Sequence, residues 1–488
     1  WAIGASLIAS NISAEQIIGQ SGQGYVVGIA IAAYEWQAAI VLLIVAKWFL
    51  PVFLKQRIYT MPQFLDLRYG YGVKSLMSVY WIALYTAVNL TTVLWLGGLA
   101  VSSLTGWSVF TSMTALAMFA VAYSINGGLK AVAITDIIQV VVLVLGGLAI
   151  TWIALDHIEG AEGVFAGLAR VFNEMPGHFK MILDENHSSY IDLPGIWTLL
   201  GGLWVLHFSY WGFNQYIIQR ALGAESLSEA QTGLAFAAFL KLFIPVIVVI
   251  PGIAAVMLAN QGVMDAGVLA AKTDSTYGEL MKLAPSGLRG LVFAALIAAI
   301  VSSLASMMNS ISTIFTMDIY RSRFEGRSER HYVWIGRFAA LAAMVFALLL
   351  AQPFIGGFES GFQAVQEYSG FIAPGVVAVF LLGFFASKVN VWGAYAALLS
   401  SVAFNVILKL IATDIPFIIR IWIVFILCLV AAIICSRLKK DKMEIFKKDI
   451  KKENIITSLL NIEKYEDLDK NRENVIKNLD SLSESKFN

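Results

Sequence analysis

The chain has 488 residues, of which 58% are hydrophobic and only 14% charged, and its formal net charge is +1. Soluble domains carry about a quarter charged residues, so this composition excludes a soluble enzyme, and the near-neutral balance gives no sign of a nucleic-acid partner. Apolar runs of about 18 residues or more read as membrane helices. The sequence holds twelve, near 1–19, 25–54, 75–104, 109–126, 132–155, 197–218, 234–259, 290–317, 333–351, 362–385, 392–410 and 417–435.

The first run is interrupted by Ala9-Ser10-Asn11-Ile12-Ser13-Ala14-Glu15-Gln16. In hydrocarbon every backbone N–H and C=O must be satisfied, so a polar gap survives only beside protein or a watery cavity. Broken helices of this kind expose carbonyls to ions and amides to substrates in transporters. A binding site at mid-membrane depth is therefore expected here.

The second run holds Glu35, about twelve residues and roughly 18 Å of helix from Lys47. A carboxylate so deep faces a cavity or a partner, and Tyr34, Trp36 and Gln37 beside it suit a polar or sugar-like ligand. Asp136, at the start of the fifth run, also reads as a helix-start acid favoured by the dipole. The sixth run carries a second interruption, Gly201-Gly202 followed by His207-Phe208-Ser209-Tyr210-Trp211-Gly212-Phe213-Asn214-Gln215. His207 reads either as a packed, hydrogen-bonded residue or as part of the site. The interruptions lie five spans apart, so spans one to five and six to ten would form equivalent halves. An odd number of helices per half gives them opposite topology, as an inverted repeat requires.

Lys241, in the seventh run, reads either as a partner for Glu35 or ligand or as a snorkelling side chain. In the eighth, Ser302, Ser306, Asn309 and Thr313 make one polar stripe, which ordinary helix packing also explains. The pair Ser302-Ser303 suits a hard monovalent cation when carbonyl dipoles converge on it. Gln363, Gln366 and Glu367 form a polar patch early in the tenth run, which a rim of solvated residues explains equally well. Cys428 and Cys435 share one helix and predict no disulfide. Gly22-Gln23-Gly24 lacks dinucleotide spacing, and the sequence suggests neither a metal cluster nor a nucleophile–base pair.

Following alternate helix ends, Lys47, Lys55, Arg57, Lys130, Arg220, Arg321, Arg323, Arg327, Arg330, Lys388 and the stretch 437–452 fall on one side. The opposite loop, 156–192, is mainly acidic, with Glu159, Glu162, Glu174, Asp184 and Glu185. Excess Lys/Arg marks the cytoplasmic face, so the first helix is expected to run outward through the cell (inner) membrane and the tail to be cytoplasmic. The organisation expected is 1–156 and 195–385 as the two repeats, 157–194 as an extracellular loop, 386–436 as two further helices and 437–488 as a charged tail. The basic start of that tail could rest on anionic membrane lipid, or the tail could simply be solvated. The chain begins at Trp1 without a Met, which suggests a missing upstream piece.

The stretches WAIGASLIASNISAEQ, AAYEWQAAI, YWGFNQYIIQRAL, LAFAAFLKL, VSSLASMMNSISTIFTMDIY and QEYSGFIAPG resemble the sodium/solute symporter family over about residues 1–410. The resemblance implies an all-α, five-plus-five inverted-repeat (leucine-transporter-like) fold with discontinuous first and sixth helices, preceded by one further helix. It implies a Na+ site from the carbonyls of Ala9, Ile12 and Ala299 with the hydroxyls of Ser302 and Ser303, and Asp136 on the sodium exit route. Sugar hydroxyls would be held by Asn11, Gln16, Glu35, Lys241 and Gln366. Tyr210 would stack beneath the sugar as an inner gate with Trp211 beside it, while Tyr85 and Phe362 would close the outer side.

Three positions depart from the pattern of the sugar-carrying members. His207 stands at a sugar-binding position where that pattern has Asn, Ala38 where it has Ser, and Gln20 where the outer gate has Met. The expectation is a sodium-coupled symporter of a hexose such as galactose or glucose, working by alternating access. One sodium entering down about 100 mV would release roughly 2.3 kcal/mol, and a tenfold gradient about 1.4 kcal/mol more. The alternatives are a sodium-coupled myo-inositol or other polyol transporter and, from another class, a transporter-like membrane sensor.

Overall fold

The computed structural model of the protein describes residues 2–439 except 57, 59, 159, 161 and 225, with the side chains of 2, 3 and 125–137 outside the described set. Every regular element among the described residues is a helix. Among the described residues eight helices are long and apolar enough to cross a membrane, or nine when the bent pair Gly361–Ser369 and Ala373–Phe385 counts as one. The shorter apolar helix Val109–Ser124 and the two broken helices account for the remaining apolar runs.

The first span is Ala2–Asn11, then a kink at Ile12 and Ser13, then Glu15–Gly19 and Gln20–Val27. Gly28, at φ 66, turns the chain into the second span, and a Cβ there would collide with the backbone of His178. The sixth span runs Ile196–Leu200, Gly202–His207 and Phe208–Gly212, breaks at Phe213 and Asn214, and resumes as Gln215–Leu222. Asn214 caps that last piece by accepting from Tyr216 N. Three segments that meet the central cavity, Glu15–Gly19, Tyr85–Leu90 and Phe208–Gly212, are π-helical turns. Such wide turns redirect side chains and are frequent at functional sites.

The helical segment Val109–Asp156 has two arms that follow the eighth span (Ser286–Ile314, then Phe315–Tyr320) in opposite senses. Leu116 and Ile300 both crowd Gly97, and Ser124 donates to Asn309 Oδ1 at 3.0 Å. On the other arm Gly146 faces Val292 and Gly147 faces Ile247. Antiparallel arms satisfy the expectation of two spans there. Outward faces are apolar: Phe338, Phe346 and Leu349 on Glu329–Ile355, and Ile433 and Ile434 on Phe417–Leu438, are exposed. Cys428 and Cys435 are free thiols. The tail from 440 onward, with Arg57 and Glu159, lies outside what the structure describes, as do the side chains of Lys130 and Asp136.

Candidate functional site

Both broken spans meet at one central cavity. Its wall includes Asn11, Glu15, Gln16 and Gln20 from the first span, Tyr34 and Glu35 from the second, and Leu206, His207, Ser209, Tyr210, Trp211 and Asn214 from the sixth. Lys241 closes one side, and Phe362, Val365, Gln366 and Ser369 of the tenth span another.

The wall is organised around Glu35. Lys241 Nζ lies 2.5 Å from Glu35 Oε2, and Gln20 Nε2 donates to Glu35 Oε1 at 2.7 Å. Lys241 also donates to Asn11 Oδ1 and sits 4.8 Å from the Trp211 ring centre, within cation–π reach. Glu35 and Lys241 are both buried, so the lysine pairs inward and does not snorkel. Asn11 Nδ2 continues the chain of bonds to Tyr210 OH at 3.1 Å, and Tyr210 and Tyr216 share a hydrogen bond of 2.5 Å. Gln16 Oε1 accepts from the backbone N–H and hydroxyl of Ser13 at 3.4 and 3.3 Å, which holds the first break open.

Phe362 packs its ring edge against Tyr34 at 5.1 Å, and a Cβ on Gly19 would stand 2.6 Å from Phe362 Cβ. Tyr85 does not join this layer. Its hydroxyl donates to Asn214 Oδ1 at 2.7 Å and accepts from Gln215 N, so Tyr85 belongs with Tyr210 and Tyr216 at the second break. Gln20 likewise faces the polar centre and binds Glu35, where a plain gate residue was expected.

The eighth span touches the first break directly: Ser303 Oγ donates to the Ser10 carbonyl at 3.2 Å. Ala9, Ile12, Ala299 and Ser302 are buried around that crossing. The rest of the expected stripe serves packing. Ser306 Oγ donates to the Ser302 carbonyl and accepts from Arg220, Asn309 accepts from Ser124, and Thr313 bonds back to the Asn309 carbonyl.

Other expected neighbours point elsewhere. Trp36 is partly exposed, its N–H on the Leu242 carbonyl, and Gln37 binds the carbonyls of Thr198 and Leu199. Ala38 is buried but does not line the cavity. Glu367 is held by Arg420 at 2.6 Å and Lys409 at 3.1 Å, while Gln363 binds Gln23. Arg220, read from sequence as a charge at a helix end, is buried and donates to Ser6, Ser306 and the Tyr216 carbonyl. Glu15 was missed as a wall residue. It is buried, and its Oε1 has no partner among the described residues. Its place inside the polar gap, one residue before Gln16, is the signal that could have found it.

The geometry has counterparts among known proteins. The profile of the sodium:solute symporter family matches residues 1–400. A sodium/glucose cotransporter of Vibrio parahaemolyticus is 51% identical over 427 residues, covering 86% of this chain and 78% of that protein. Sodium/glucose cotransporter 4 of Mus musculus is 32% identical over 82% of this chain, which spans 61% of the mouse protein. A solved structure of a Na+-coupled sialic acid symporter, in a substrate-bound outward-open state, superposes with a TM-score of 0.78 at 21% identity, covering 90% of each chain. The fold is thus the five-plus-five inverted repeat with interrupted first and sixth helices, and the chain belongs to the sodium:solute symporter family.

Proposed function

We propose that the protein is a sodium-coupled hexose symporter of the cell (inner) membrane, working by alternating access. The observation that carries this reading is the adjacency of two kinds of group at one break. Ser10 offers its carbonyl to Ser303, while Asn11, the next residue, turns its side chain into the cavity toward Lys241 and Tyr210. Hard oxygen donors beside a broken helix suit Na+, and a wall of amide, carboxylate and ammonium groups suits a polyhydroxylated ring. The names of the bacterial and mouse relatives agree with both halves of the reading.

In this reading sodium is cargo and driving force. It is held by the carbonyls of Ala9, Ile12 and Ala299 and the hydroxyls of Ser302 and Ser303, with Asp136 on its way out. By binding the first and eighth spans together it selects the form that accepts sugar. Asn11, Gln16, Glu35, His207, Lys241 and Gln366 bind the sugar's hydroxyls, and the Tyr210 ring lies beneath it with Trp211 alongside. Phe362 closes the end of the cavity nearer the acidic loop. The Lys/Arg-rich end, and with it the tail, faces the cytoplasm.

The test is uptake in liposomes containing the purified chain, using a panel of labelled hexoses and polyols with and without a sodium gradient. Sodium-stimulated accumulation of a hexose is the expected outcome. Accumulation of polyols alone would change the substrate, and sodium-independent or absent uptake of every solute would overturn the proposal.

A further inference from the structure

Gln20 carries a side chain whose hydrogen bonding is half complete. It is 1% exposed, opens the helix Gln20–Val27 beyond the first break, and lines the cavity. Its Nε2 donates to Glu35 Oε1 at 2.7 Å. Only the NH2 end of a carboxamide can face an ionised carboxylate, because a carbonyl there would set acceptor against acceptor. The orientation of the amide is therefore fixed by Glu35. Its Oε1 is left buried with no partner among the described residues.

A buried acceptor without a donor costs free energy that a suitable ligand recovers. Glu35 cannot supply that donor, since an ionised carboxylate only accepts, and the Lys241 ammonium is directed at Glu35 Oε2 and Asn11 Oδ1. What remains is a group brought in by cargo. Gln20 and Glu35 both line the cavity and are hydrogen-bonded to each other, so their acceptor oxygens lie close together in its wall. Two adjacent acceptors match two adjacent hydroxyl donors.

We propose that Gln20 is a specificity-determining residue that, with Glu35, receives a vicinal diol edge of the sugar, the Gln20 carbonyl oxygen accepting one hydroxyl and Glu35 the next. The assignment rests on the hexose reading above and narrows its substrate class to sugars with two neighbouring free hydroxyls at that edge. Removing one of the two leaves the Gln20 oxygen buried and unpaired again. Sites built to hydrogen-bond a hydroxyl reject analogues that lack it far more strongly than apolar pockets reject a missing methylene.

The experiment compares the natural chain with Gln20→Met, which keeps an unbranched side chain of similar length without the amide, and with Gln20→Asn, which keeps the amide but draws it back. Each is given the transported hexose and its single-deoxy derivatives as competitors in sodium-loaded uptake. The readout is the ratio between hexose and derivative, not the rate. The natural chain is expected to disfavour the two neighbouring deoxy derivatives by about tenfold or more. In Gln20→Met the penalty for one of them falls to about twofold or less, while penalties at remote positions persist. A deoxy profile in Gln20→Met that matches the natural chain at every position overturns the assignment, as does a natural chain indifferent to every deoxy substitution.

Binding to the detergent-purified proteins, followed by tryptophan fluorescence through Trp211 in the cavity wall, repeats the comparison without transport. If uptake fails but binding shows the Gln20-dependent profile, the symport reading falls and the role of Gln20 stands. Failure of every hexose to bind the natural chain overturns both. A Gln20→Met protein that does not fold leaves Gln20→Asn to decide, with the same loss of discrimination expected and an unchanged profile counting against the proposal.

Discussion

Lys241 Nζ and Glu35 Oε2 lie 2.5 Å apart with side chains 1% and 2% exposed, joining the seventh span to the second across the cavity wall. Breaking such a pair from one side leaves an uncompensated buried charge, at a cost of about 3–5 kcal/mol. Lys241→Met should therefore abolish sugar uptake and lower the thermal unfolding temperature in detergent. The double variant Glu35→Gln/Lys241→Met removes both charges and should recover most of the stability without recovering uptake. A double variant as unstable as Lys241→Met alone would show that the loss comes from something other than the stranded carboxylate.

Ser303 touches the first break but not the sugar wall. Losing one hydroxyl contact is worth about 0.5–1.5 kcal/mol. Ser303→Ala should thus raise the sodium concentration for half-maximal uptake about three- to tenfold and leave the order of preference among sugars unchanged. Sodium titrations at saturating sugar, beside sugar competition at saturating sodium, separate the two effects. A matching change in sugar preference would count against the division of work between Ser10 and Asn11.

The two breaks, the buried carboxylate and the buried lysine were legible in the sequence because a polar residue in an apolar run is informative by position alone. Direction was less legible. Successive helix residues point about 100° apart, so the inward aim of Glu35 carries Trp36 outward, and the inward aim of Gln366 carries Glu367 to Arg420 and Lys409. Arg220 counted as a helix-end charge because sequence gives distance along a helix but not which partner helix covers it. Tyr85 was expected at the outer gate from the family resemblance alone, and its hydroxyl instead holds Asn214 at the second break, from a π-helical turn that regular helical spacing does not reveal.

Gly19 packs so closely on Phe362 that a Cβ would stand 2.6 Å from the ring-bearing Cβ. Overpacking of this kind costs about 1–3 kcal/mol, and under the gating proposed above the cost falls on the form in which Phe362 packs on Gly19. Gly19→Ala should slow uptake and favour the form in which the tenth span stands away from the first. In a chain with Cys428 and Cys435 replaced, a cysteine placed by Val365→Cys should react faster with a membrane-impermeant thiol reagent when Gly19 is also changed. Equal labelling rates with and without the change would remove Gly19 from the gate.

Asp274 lies in the turn Thr273–Ser275, outside the spans, and holds the start of the tenth span. Its Oδ2 accepts from Gly361 N at 2.7 Å at the start of the tenth span, and a Cβ on Gly22 would press 2.6 Å from the Thr273 carbonyl. Burial pushes its carboxyl up from 3.8 to about 7, against the opposing pull of the Gly361 N–H, Lys272 and the Ser360 hydroxyl. A carboxyl with a raised folded-state pKa holds its proton after the unfolded chain has released it. Its stabilising contribution is full below 3.8 and is lost as pH rises to about 7, with a slope of up to about 1.4 kcal/mol per pH unit. Asp274→Asn keeps an acceptor for Gly361 N–H and removes the titration. The thermal unfolding temperature of the natural chain should fall between about pH 5 and pH 7, and the variant should lose most of that slope. Asp192, pushed up to about 6 by burial and by Glu359 and Glu367, titrates with the same sign in both proteins and cancels in their difference. Parallel curves for the two proteins would place the pH response elsewhere and leave Asp274 as a plain cap of the tenth span.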